Sequence, residues 1–83
     1  MQTKGEIAAT RCSLGLRIKC LRNERDLSQQ RFANMVGIDR SYMSGIENGH
    51  RNVSFDNLVR IAQGFGISLS DLMAGVDVCQ GGS

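Results

Sequence analysis

Proline and tryptophan are absent from this sequence, histidine and tyrosine occur once each, and every apolar run is short. Without proline, nothing fixes φ or removes a backbone donor inside an element, so helices end where glycine or a polar cap stops them. No stretch approaches the roughly 20 apolar residues of a membrane-spanning helix, and residues 1–11 lack the apolar centre of a signal peptide. The three cysteines, Cys12, Cys20 and Cys79, are odd in number and form no Cys-x-x-Cys pair. They read as reduced thiols of a cytoplasmic protein, and His50 has no second imidazole with which to bind zinc. A glycine-rich phosphate loop and a nucleophile with a neighbouring base are also missing. No enzyme, metal site or cofactor is expected.

What is present fits one small all-α domain. Eighty-three residues bury a modest core, and chains of that size commonly supplement it by self-association. The net charge of +2 is small but uneven: up to Arg51 nine Lys/Arg face five Asp/Glu, and from Asn52 onward Arg60 faces Asp56, Asp71 and Asp77. The basic part suits phosphate binding, although solvated surface charge gives the same pattern.

Residues 1–12 read as a tail or a frayed extension of the first helix, with Lys4 and Arg11 available as a phosphate-binding arm. Thr10 or Ser13 can cap that helix, where Leu14, Ile18 and Leu21 share a face. Ser28 opens a second helix with Phe32, Ala33 and Val36 inward, and Gly37 closes it in the left-handed conformation. Asp39 caps a third, from Arg40 to about Asn48. At 100° per residue Met43 and Ile46 share one side of it, opposite Ser41, Ser44, Gly45 and Asn48. Small uncharged hydrogen-bonding residues there allow close approach to a surface. Gly49 ends the helix, and Ser54 caps a fourth with Leu58, Ile61, Ala62 and Phe65 inward, closed by Gly66. Ser68 and Asp71 form a capping box for a short fifth helix bearing Leu69, Leu72 and Met73. Residues 76–83 read as a second tail, with Val76, Val78 and Cys79 able to extend any apolar contact.

The segment SQQRFANMVGIDRSYMSGIENG resembles the helix-turn-helix of the Cro/phage-repressor family. DRSYMSGIENGHRNVSFDNL is especially similar to the small controller proteins of restriction-modification systems. The likeness spans residues 14–73 and implies a compact five-helix bundle of the lambda-repressor type over residues 13–75. It further implies a homodimer that binds a pseudo-palindromic operator in double-stranded DNA and regulates transcription; 83 residues leave no room for an effector-binding domain, so no small-molecule effector is expected. By that resemblance Arg40, Ser41, Tyr42, Ser44 and Gly45 read bases, and Gln29, Gln30, Arg31, Asn48, His50, Arg51 and Asn52 take the DNA backbone. Arg22 and Glu47 form an internal ion pair, and Leu69, Leu72, Met73 and Val76 form the dimer contact. Arg31 departs from the pattern, standing where the family usually places the glutamate of a capping box. Two other readings keep the motif but change its use: an antitoxin-like protein-interaction module, and a domain excised from a longer repressor or methyltransferase.

Overall fold

The computed structural model describes residues 4–76. Five helices follow one another: α1 Lys4–Glu24, α2 Gln29–Val36, α3 Arg40–Glu47, α4 Phe55–Phe65 and α5 Leu69–Met73, with no strand among the described residues. Val78 and Cys79, considered above as extensions of an apolar contact, lie outside the described residues, as do most of the C-terminal tail and residues 1–3.

Local chemistry sets most boundaries. Ser28, Asp39, Ser54 and Ser68 are extended N-cap residues whose side chains accept from Arg31, Ser41, Asn57 and Asp71 amides respectively, satisfying N–H groups that a helix leaves unpaired. Gly37 closes α2 at φ 70°, where the Ile38 amide returns to the Ala33 carbonyl at 3.0 Å and buries the Ile38 side chain. That is a Schellman ending, which only a residue without Cβ adopts freely.

The first helix begins at Lys4, so of the two readings of the N-terminal stretch, residues 4–12 follow the one that extends this helix. Neither Thr10 nor Ser13 caps it. The Thr10 hydroxyl donates instead to the Glu6 carbonyl one turn back, at 3.0 Å, a bond open to threonine inside a helix.

Leu14, Ile18 and Leu21 of α1 meet Phe32, Ala33 and Val36 of α2, Met43 and Ile46 of α3, Ile61, Ala62 and Phe65 of α4, and Leu72 of α5. The Phe32 and Phe65 rings stack with centroids 4.2 Å apart. Leu72 is 0% exposed, so it offers no surface to a second copy. Its assignment to a dimer contact is therefore corrected, because the side chain is taken up by the core cluster of its own chain. Leu69, Met73 and Val76 are half-buried and pack against the core edge. Arg17 ties α5 back to α1 by donating to the Asp71 and Leu72 carbonyls at 2.9 and 3.4 Å.

Candidate nucleic-acid interface

The orientation of α3 follows from what holds its C-terminal end. Arg22, buried on α1, donates through Nε and Nη2 to the two carboxylate oxygens of Glu47, both at 2.9 Å. The side chains of the pair are 10% and 3% exposed. A third donor to Glu47 is Gln29 Nε2 at 3.2 Å, and Arg22 Nη1 also donates to the Leu27 carbonyl at 2.7 Å. One fork therefore fastens the end of α1, the start of α2 and the end of α3. The hydrogen bonds to Glu47 raise the Arg22 pKa, burial opposes them, and the charge of Glu47 adds to the rise. Glu47, a carboxylate unwelcome beside a polyanion, is neutralised inside the fold.

Two glycines let α1 lie close to the same end. A Cβ on Gly15 would stand 2.5 Å from the Ile46 carbonyl oxygen and 2.7 Å from the Glu47 carbonyl carbon. One on Gly49 would stand 2.6 Å from Cys12 Sγ and 3.0 Å from Cys12 Cα. Neither approach is visible in the sequence, where Gly15 shows only as a mid-helix propensity penalty and Gly49 only as a helix end.

With its inner side pinned, α3 buries Met43 and Ile46 and leaves Arg40, Ser41 and Asn48 exposed, with Tyr42, Ser44 and Gly45 half-buried. The capping Asp39 carboxylate accepts from both the hydroxyl and the amide of Ser41. These bonds, the hydroxyl first, hold Asp39 below the usual carboxylate range. A depressed folded-state pKa contributes stability above the ordinary value of about 3.9 that is lost as pH falls through the lower folded value. Ser41→Ala is expected to move the Asp39 titration midpoint up toward about 3.9, followed through its carboxyl carbon resonance; an unmoved midpoint would contradict the hydroxyl's role.

Two residues of the proposed base-reading set are engaged differently. The Tyr42 hydroxyl donates to the Asn52 carbonyl at 2.8 Å, so its proton holds the following loop. Gly45 does not leave a gap for an approaching surface, because Arg51 fills the space beside it. Gln30 bonds Asn34 at 3.0 Å, and with Arg31, His50, Arg51 and Asn52 it is exposed. Cys12 and Cys20 are free and exposed. Among the described residues no cluster could hold a metal ion, and no helix is long and apolar enough to cross a membrane.

A family model described as a helix-turn-helix domain matches residues 15–78. The chain belongs to the helix-turn-helix family of DNA-binding transcriptional regulators. The control protein C.MunI of Mycoplasma sp is 50% identical over 64 residues, covering 76% of this chain and 86% of that one. The restriction-modification controller protein C.AhdI from Aeromonas hydrophila superposes with TM-score 0.73 at 39% identity, over 75% of this chain and 94% of that one. The biofilm regulator SinR, solved in complex with DNA, superposes with TM-score 0.68 at 31% identity, over 72% of this chain and 97% of that one. This helix-turn-helix family is one of regulators rather than of enzymes.

Proposed function

We propose that this regulator acts in the cytoplasm as a homodimer on a pseudo-palindromic operator, with α3 of each copy entering major grooves about 34 Å apart. The carrying observation is the division of α3: Met43 and Ile46 are buried while Arg40, Ser41 and Asn48 are exposed. Arg40, at the N-terminal end of α3, reads a guanine through its O6 and N7, with Ser41 and Ser44 adding hydrogen bonds or methyl contacts. Gln29 keeps a second amide proton beyond the one given to Glu47. It takes a phosphate together with Gln30 and Arg31 at the positive end of α2. Asn48, His50, Arg51 and Asn52 take phosphates past the end of α3. Leu69, Met73 and Val76 meet a second copy. The likeness to C.MunI and C.AhdI favours a controller role within a restriction-modification system, set by protein concentration rather than by an effector.

Binding titrations on an operator and on a scrambled duplex, at several salt concentrations, test the assignment. Arg40→Ala is expected to lose about 1–3 kcal/mol of discrimination at one base pair per half-site. Arg51→Ala is expected to weaken both duplexes alike and to lower the salt slope by about one unit per half-site. Equal losses on both duplexes for Arg40→Ala would remove its reading role.

A further inference from the structure

Gly45 stands in the middle of α3, where glycine weakens a helix, yet the space beside it is not open. A Cβ built there would collide with Arg51 Cγ and lie 3.3 Å from its Nε and 3.4 Å from its Cδ. The chain reaches this position by a Schellman ending: Gly49 at φ 76° turns the backbone, and the His50 amide donates 2.8 Å to the Gly45 carbonyl. Gly45 thus fixes the loop through its carbonyl and receives the Arg51 stem on its bare side. Tyr42, one turn earlier, completes the seat. Its ring centroid lies 5.9 Å from the Arg51 guanidinium carbon, and its hydroxyl holds the Asn52 carbonyl at 2.8 Å.

We propose that Gly45 is a positioning residue for Arg51. Its missing Cβ lets the methylenes of Arg51 lie along α3 with the cation over Tyr42, so a phosphate-binding guanidinium is set at the groove-facing helix before DNA arrives. An arginine on an unconstrained loop would lose its rotamer freedom on binding, whereas one already seated loses less. Gly45 and Tyr42 then act on the DNA backbone through Arg51 rather than by touching bases. This rests on the DNA-binding reading above.

The test is a double-mutant cycle: wild type, Gly45→Ala, Arg51→Ala and the double variant, on one operator duplex over a salt series. The fold of Gly45→Ala is expected to persist, because the added methyl meets a movable side chain and alanine favours the helix; its Tm should equal or exceed that of wild type. Gly45→Ala should lose as much affinity as Arg51→Ala, with the same fall of about one unit per half-site in salt slope, and the double variant should bind no more weakly than Arg51→Ala. In the free protein, the Arg51 side-chain proton resonances should shift in Gly45→Ala as the guanidinium leaves its place over the Tyr42 ring. Additive losses would mean that the methyl obstructs DNA directly and would overturn the proposal, as would unmoved Arg51 resonances or a lowered Tm. Failure of the wild type to bind any duplex would instead sink the regulator reading and the role of Arg51 in it, while the resonances still report whether Gly45 seats the side chain.

Discussion

Glu47→Ala is expected to lower the unfolding free energy by about 3–5 kcal/mol, since it leaves a buried guanidinium without its counter-charge. A chain of this length has about 4–12 kcal/mol in all, so the variant should lose a large share of its stability and be unfolded outright only at the lower end of that range. Arg22 would lose both of its 2.9 Å bonds to the carboxylate and keep only the one to the Leu27 carbonyl. Replacing both partners with apolar residues, Arg22→Met with Glu47→Leu, should recover part of the loss because no unpaired charge then remains inside. Chemical denaturation of the three proteins decides this. If Glu47→Ala costs less than about 1 kcal/mol, the range of a solvent-exposed pair, the fork does not hold the helices as described.

Gly15→Ala is the second large effect, and its mechanism is steric. The new methyl would press on the carbonyl groups of Ile46 and Glu47, which belong to the backbone and cannot rotate away. Overpacking costs about 1–3 kcal/mol, and backbone contact places this case toward the upper end. Better helix propensity offsets about 1 kcal/mol of it, leaving a net loss of about 1–2 kcal/mol. Because α1 must back away from the end of α3, operator affinity should fall together with stability, whereas Gly45→Ala, in which only a side chain moves, should lose affinity with its stability intact. Denaturation midpoints and operator titrations read the two effects. A Gly15→Ala protein as stable as wild type would show that the two helices have room between them.

The parts of this fold that were legible in the sequence are those written in local chemistry. Ser28, Asp39 and Ser54 each precede an apolar periodicity by the spacing an N-cap requires, and Gly37 and Gly66 stand where a left-handed residue closes a helix, at φ 70° and 71°. The burial of Met43 and Ile46 against exposed Ser41 and Asn48 follows from helical period alone. What escaped depends on contacts distant in sequence or on residues with two uses. Thr10 has the chemistry of a cap but bonds the preceding turn inside α1. The burial of Leu72 and the grip of Arg17 on α5 depend on how α5 meets α1, a tertiary arrangement that periodicity does not specify. Gly15 and Gly45 look alike as mid-helix glycines, yet one admits a neighbouring backbone and the other a side chain six residues further on. The roles of Arg22 and Glu47 were implied by family likeness, and the fork between them is a product of three helix ends meeting.

The most direct measurement of whether the outer side of α3 reads base pairs is selection of bound duplexes from a random pool by the intact chain. The expected result is enrichment of a single pseudo-palindromic sequence whose half-sites lie one helical turn, about 34 Å, apart. Recovery of duplexes with no shared sequence, at affinities that track salt alone, would contradict it.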